Sequence, residues 1–169
     1  MNASMNENAV QKTPPVSADD NREAVLAMAY ARLRSHASWF YWIAGLTIVN
    51  LVMVMMQSDY FMVAGLGLNY AIPELLGMEN ERYLMACYGL TGAGVVLFGL
   101  FGWLAGRGNL AAFAIGISLY ALDTPVFVTK YFSVMGMAIH GLALWSLVSG
   151  AILAWKLKAA VASPEPEPA

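Results

Sequence analysis

The amino-acid sequence predicts an all-α membrane protein, an antiparallel four-helix transmembrane bundle with an interfacial or re-entrant outer helix. Hydrophobic residues make up 59% of the 169 residues and charged residues only 12%, about half the charged fraction of an ordinary soluble domain. The charges cluster at the two ends and in short gaps. Four stretches that are almost free of charge lie between them, each close to the roughly 20 residues that a membrane crossing needs.

The positions of these stretches define the predicted elements. The spans cover residues 39–56, 83–105, 109–129 and 132–155. Residues 1–17 and 159–169 are rich in polar residues and proline, which predicts two disordered tails. Residues 18–38 are good helix formers with Leu26, Tyr30 and Leu33 on one face. They indicate either an amphipathic helix on the inner membrane surface or a solvated helical lead into the first span.

The segment between the first two spans, residues 59–78, is too long for a tight turn. Its first part is strongly apolar, and Glu74, Glu79 and Glu81 follow. A fifth crossing would need the whole segment and would place the two termini on opposite sides of the membrane. We therefore expect a re-entrant or interfacial helix at the outer face.

Positive charges are distributed unequally between the predicted loops. Only Arg82 and Lys130 lie in the two loops assigned to the outside. The remaining basic residues lie in the terminal segments and the second turn: Lys12, Arg22, Arg32, Arg34, Arg107, Lys156 and Lys158. Because basic residues favour the cytoplasmic side, both termini are predicted to be cytoplasmic in a multi-pass cell-membrane protein. The net charge of −2 argues against nucleic acid as a partner.

Each span carries one polar side chain at a similar depth. Asp123 and His140 each lie seven or eight residues from the outer end of a span, on the order of 10–12 Å below the boundary. Asn50 and Thr91 fall in the same layer. Because a charge in hydrocarbon costs about 2.5–3.5 kcal/mol or more, Asp123 should face the bundle interior. His140 on the adjacent antiparallel span is its expected hydrogen-bond partner.

Three interpretations of this layer remain open. The four side chains could serve only as interhelical hydrogen bonds, or Asp123 and His140 could form a proton-accepting or small-ligand site. The third interpretation is a metal site. Its ligands would be His140, Asp123 and an amide, which are a poor ligand set, and the single cysteine, Cys87, one turn from Thr91, could be added to them. Glu74, after the outer helix, is a secondary acidic candidate. No cofactor is expected.

Three short motifs carry a resemblance. Val63-Ala-Gly-Leu-Gly-Leu, Tyr120-Ala-Leu-Asp and His140-Gly-Leu-Ala-Leu-Trp resemble segments of small bacterial four-span membrane proteins of unassigned activity. In those proteins an apolar outer helix and an Asp…His pair on the last two spans recur. The resemblance covers residues 40–155, implies the same fold and points to Asp123 and His140. The chain departs from that pattern at residues 71–74, Ala-Ile-Pro-Glu, where acidic residues often follow the outer helix.

The sequence contains no nucleophile–base pair with an oxyanion site, so catalytic residues are not assigned and an intramembrane enzyme ranks third. The first functional hypothesis is a non-enzymatic accessory or interaction subunit, because the chain is small and has no soluble domain. The second is a proton-linked binding or transport protein that uses Asp123 and His140. The expected partners are the lipid bilayer and either another membrane protein or further copies of this chain.

Overall fold

The computed structural model describes residues 17–56, 65–130 and 134–162. These residues form five helices: α1 (Ala18–Met55), α2 (Leu68–Leu75), α3 (Asn80–Ala105), α4 (Leu110–Lys130) and α5 (Val134–Ala162). No strand occurs in the described ranges. The all-helical class predicted from the sequence is therefore confirmed.

The predicted inner helix and first span are one continuous helix of 38 residues, α1. It begins where the Ser17 hydroxyl accepts a hydrogen bond from Asp20 N at 3.0 Å. Asp19 and Asp20 in the first turn favour this start, since carboxylates stabilise the positive end of the helix dipole. Leu33 and Ala37 are buried in the core. The part of α1 around these two residues therefore packs against the bundle.

The other helices begin and end close to the predicted span limits. The turn from α3 to α4 contains Gly108 at φ 84, a left-handed conformation that glycine adopts without steric cost. Asn109 then accepts from Ala112 N at 3.1 Å and caps α4. α5 continues to Ala162, four residues into the predicted C-terminal tail. Residues 59–64 of the predicted outer segment, and the remaining parts of both tails, lie outside the described ranges.

The four long helices alternate in direction around the bundle. α1 packs against α3 and α5, and α4 packs against the same two helices. Tyr41 of α1 lies on Gly102 of α3, near its end. His36 Nδ1 of α1 lies 2.9 Å from the Ser146 hydroxyl of α5. The turn between α3 and α4, the start of α1 and the end of α5 accordingly lie at one end of the bundle, called here the inner end.

Aromatic rings fill the centre of the bundle. The Phe40 ring centroid lies 5.9 Å from those of Phe98, Phe101 and Phe113, a separation typical of favourable edge-to-face and tilted pairs. Gly116 of α4 faces the same ring, and a Cβ there would lie 2.5 Å from Phe40 Cε1. The Phe40 ring thus lies against the α4 backbone because Gly116 has no side chain.

Three helices are long and apolar enough to cross a membrane: Asp19–Met55, Asn80–Ala105 and Val134–Ala162. Leu110–Val126 is a shorter apolar helical stretch within α4. This composition indicates a multi-pass membrane protein.

The central position of Phe40 leads to a stability prediction. Replacing Phe40 with Ala removes the ring that contacts α3 and α4, so we expect the free energy of unfolding to fall by about 3–5 kcal/mol. Trp42, whose side chain is 63% exposed, is the matched control, and its replacement with Ala should change that free energy by about 0.5 kcal/mol. The loss of helicity on heating in detergent micelles measures the change in stability of both variants. Equal losses would contradict the packing described here.

Candidate functional site

The chain between α1 and α3 enters the bundle. Residues 65–71, called here the inserted segment, include Leu66, Tyr70 and Ala71 at 6%, 1% and 2% exposure. They lead into α2, whose remaining turns are more exposed and contain Pro73. A helix is therefore present between α1 and α3, and its first part is buried among the long helices. Its position at the outer face of the membrane stays a prediction.

The backbone of this segment needs hydrogen-bond acceptors because it is buried before the helix begins. Leu66 N donates to the Thr47 hydroxyl at 3.0 Å. Gly67 N donates to Asp123 Oδ2 at 3.0 Å, and Leu68 N donates to Asp123 Oδ1 at 2.7 Å. Three consecutive N–H groups are thus satisfied by side chains of α1 and α4. The Asp123 carboxylate also lies at the positive end of the α2 dipole, where negative charge is stabilising.

Thr47 is held in place by its own second hydrogen bond. Its hydroxyl donates to Ile43 O at 2.7 Å, one turn earlier in α1. Because the hydroxyl proton is used there, the oxygen lone pairs remain to accept from Leu66 N. A single threonine thereby connects the α1 backbone to the inserted segment.

Small residues let the inserted segment lie close to α1 and α3. A Cβ on Gly65 would lie 2.5 Å from Asn50 Nδ2 and 2.9 Å from Leu46 O. A Cβ on Gly94 of α3 would lie 2.9 Å from Leu66 Cδ1. Real Cβ atoms do not approach backbone oxygen this closely, so only glycine fits at position 65 without a shift of the chain.

Thr91 of the predicted layer also contacts the segment, because Asn69 Nδ2 donates to its hydroxyl at 3.4 Å. Asn50, Thr91, Asp123 and His140 are all buried, at 0%, 2%, 0% and 1% exposure. Three of these four side chains therefore face the inserted segment. Cys87 is buried on α3, whereas Glu74 is exposed near the end of α2.

His140 has a different environment from the one expected. Its ring stacks on Tyr120, with centroids 4.0 Å apart and planes at 18°, and its Nε2 lies 3.3 Å from Tyr120 O. Both Asp123 oxygens accept hydrogen bonds from the inserted segment, and the expected Asp123–His140 hydrogen bond stays a prediction. The adjacency of α4 and α5 brings His140 to Tyr120, three residues before Asp123.

Two polar residues of this site were not singled out from the sequence. Thr47 lies one turn before Asn50 on the same helix face, which is the signal that could have identified it. Asn69 follows the Gly-Leu-Gly-Leu run of the outer segment, and a lone amide in an apolar stretch is a comparable signal. Neither residue could be assigned a partner without knowing that the segment enters the bundle.

The arrangement suits hydrogen bonding between helices better than metal binding. In the described part of the chain, no three His, Cys, Asp or Glu side chains come close enough to share a metal ion. The metal alternative that combined His140, Asp123 and Cys87 therefore has no geometric support. The chemistry that the geometry does support is the satisfaction of buried backbone N–H groups.

The cap on α2 leads to a local prediction. Replacing Asp123 with Asn changes one acceptor oxygen into an NH₂ donor, so either Gly67 N–H or Leu68 N–H loses its acceptor. A buried N–H without an acceptor costs about 1–3 kcal/mol, which corresponds to roughly 5- to 150-fold faster amide exchange in the inserted segment. Hydrogen exchange followed by mass spectrometry of the peptides around residue 67 measures this change.

The control for this exchange experiment is Glu79→Gln, because the Glu79 side chain makes no hydrogen bond at the start of α3. Exchange in the inserted segment should be unchanged in that variant. If Asp123→Asn protected these amides as well as the wild type does, the capping role of Asp123 would be wrong.

Comparison with known protein families, with curated proteins and with solved structures finds no match. The resemblance to small bacterial four-span proteins accordingly stays a prediction. The geometry around the inserted segment and the exposed surfaces of the bundle carry the functional argument.

Proposed function

We propose that this chain is a four-span integral membrane protein, with both termini in the cytoplasm, that acts as a non-enzymatic accessory or interaction subunit. The observation that carries the proposal is an outward-facing glycine surface on the outer half of α3. Two further features support it, the length of α4 and the internal use of the polar layer.

The length and direction of α4 support the fourth crossing. It has 21 residues, about 30 Å of helix, which matches the thickness of the hydrocarbon core. It also packs against α3 and α5, and the Tyr120–His140 contact together with Phe113 beside Gly150 makes it antiparallel to α5. A helix that lies along two crossing helices in this way traverses the same layer.

The polar layer supports a structural rather than a transport role. Thr47, Thr91 and Asp123 bind the inserted segment, which connects three different helices. A side chain with both carboxylate oxygens bonded to backbone amides has less capacity to receive a ligand. Proton-linked binding or transport through Asp123 and His140 is therefore the second hypothesis.

The glycine surface favours contact with another transmembrane helix. Gly89 and Gly92 of α3 have nothing within 4 Å of a Cβ position, so they face away from this bundle. Beside them, Ile72 and Pro73 of α2 and Leu76, which follows α2, line an apolar cavity of about 340 Å³ that also includes Gly89. In membranes, small residues at a helix surface let a second helix backbone approach closely. We propose a transmembrane helix of a partner protein as the occupant.

The topology is tested with reporter fusions. Fusions after Lys158 and at Arg107 should report the cytoplasm, and a fusion near Glu79 should report the outside, because basic residues are retained on the cytoplasmic side. Alkaline phosphatase and green fluorescent protein are suitable complementary reporters. A cytoplasmic signal from the fusion near Glu79 would overturn the four-span arrangement.

The interaction role is tested by purification in mild detergent with mass measurement of the intact complex. We expect a stoichiometric partner chain, and its recovery should fall about tenfold or more in Gly92→Leu, since the added side chain prevents close helix contact. Gly141→Leu on α5 is the matched control, because Gly141 also has open space around it. Its recovery of the partner should equal that of the wild type.

Three outcomes would contradict the interaction proposal. Equal recovery in both variants would place the interface elsewhere. If the chain retained a small molecule and no second chain, and the Asp123→Asn variant no longer retained that molecule, the binding or transport hypothesis would be favoured. A complex that contains only copies of this chain would show that the glycine surface binds a second copy of this chain and not a partner protein.

A further inference from the structure

The inner end of the bundle carries a basic, aromatic groove between α1 and α3 that the proposed interaction does not use. The groove has a volume of about 530 Å³ and is lined by Tyr30, Arg34 and Tyr41 of α1. The facing wall is the end of α3, with Trp103, Gly106 and Arg107. From this geometry we propose that the groove binds the headgroup of an anionic phospholipid.

Glycine residues of α3 create the space for this groove. A Cβ on Gly102 would lie 2.8 Å from Tyr41 Cζ, so the tyrosine ring lies directly on the α3 backbone. A Cβ on Gly106 would lie 3.8 Å from Arg34 Cγ, which places the arginine stem beside the end of the helix. The Gly102-x-x-x-Gly106 spacing thus brings an aromatic ring and a cation of α1 to one edge of α3.

The two arginines keep their hydrogen-bond donors available. The Arg107 guanidinium carbon lies 3.5 Å above the Trp103 ring centroid, so this group stacks by its face. Stacking leaves the N–H groups at the guanidinium edge directed outward, where they fit phosphate oxygens in pairs. Within the described ranges neither Arg34 nor Arg107 forms an ion pair with an acidic side chain.

Among the residues that the structure describes, no acidic side chain near the groove offsets this charge. Glu23, the nearest acidic residue before Arg34 in the chain, is about 16 Å away along α1. The other acidic side chains of the described helices belong to the first turns of α1, to the stretch from α2 to the start of α3, or to Asp123. Lys158 lines a neighbouring groove that also includes Arg107. The inner end therefore presents several positive groups to one anion.

The surface next to the groove fits acyl chains, which favours a lipid over a soluble phosphate. Trp103, Leu100 and Val96 are 50%, 47% and 72% exposed. Their spacing of three and four residues places them on one face of α3, and this apolar stripe leads from the groove toward the middle of the helix. Tyr41, 49% exposed, is a residue type that favours the headgroup layer. Headgroup and chains would thus contact adjacent parts of one surface.

The inference rests on the membrane placement of α1 and α3 and is independent of the partner-binding surface on the outer half of α3. The test reconstitutes the full chain in nanodiscs made of equal parts of phosphatidylglycerol and phosphatidylcholine. Native mass spectrometry after detergent release then counts retained lipids. We expect retention of phosphatidylglycerol over phosphatidylcholine by about tenfold, which corresponds to roughly 1.4 kcal/mol.

The matched variants separate the groove from general surface charge. Arg34→Gln combined with Arg107→Gln should remove the preference for phosphatidylglycerol. Arg32→Gln, an exposed arginine at the same end that does not line this groove, should keep it. Replacing both groove arginines with Lys should preserve part of the preference, because the charge remains and the paired donors are lost.

Each alternative result overturns the proposal. Equal retention of the two lipids by the wild type, or an equal loss in Arg32→Gln and the double variant, would reduce the effect to nonspecific charge. Displacement of the lipid by millimolar inorganic phosphate or glycerol phosphate would assign the site to a soluble phosphate. By contrast, retention of phosphatidylglycerol in Gly92→Leu despite loss of the partner chain would support the proposal, because the groove would then bind lipid without the partner surface.

Discussion

The hydrogen bonds from Gly67 N and Leu68 N to the Asp123 carboxylate are the interaction on which the outer half of the structure depends. Non-helical backbone at membrane depth is tolerated only where every N–H and C=O group finds a partner within the protein. The inserted segment brings such backbone into the bundle, and Thr47 and Asp123 supply the acceptors. A buried carboxylate is costly by itself, but here two charge-assisted hydrogen bonds and the α2 dipole offset that cost.

This constraint also explains where glycine occurs. Gly65 belongs to the inserted segment and lies against α1, Gly94 of α3 faces the segment, and a Cβ at either position would meet another atom at less than 3.0 Å. Gly116 and Gly102 accept the rings of Phe40 and Tyr41 in the same way. At Gly89 and Gly92 the space beyond the backbone is open. Glycine therefore allows close internal packing at some positions and exposes the helix backbone on the outside of the bundle at others. Only the structure distinguishes the two groups of glycines.

The sequence predicted the helices and the polar layer from independent kinds of evidence. Charge distribution and hydropathy located the helix limits because charged residues are excluded from segments that are buried in hydrocarbon, wherever these segments occur in the chain. Depth counting brought Asn50, Thr91, Asp123 and His140 to one level, and all four are buried. It did not identify the inserted segment as a hydrogen-bond partner of Asp123, since counting residues gives the height of a side chain but not its direction. The inserted segment reaches Asp123 through a tertiary contact across 55 residues of chain, which no local pattern records.

The two ends of the bundle satisfy their polar groups in opposite ways. At the end opposite the inner end, the acceptors Thr47, Thr91 and Asp123 are matched by N–H donors of the same chain. At the inner end, Arg34 and Arg107 present donors for which the described helices supply no acidic partner. Arginine stacked on Trp103 is held in a fixed orientation before any anion binds, and such preorganisation lowers the entropic cost of binding. At the inner end, the proposed anionic lipid thus supplies the acceptor oxygens for these donors, as the Asp123 carboxylate does for the backbone N–H groups of the inserted segment.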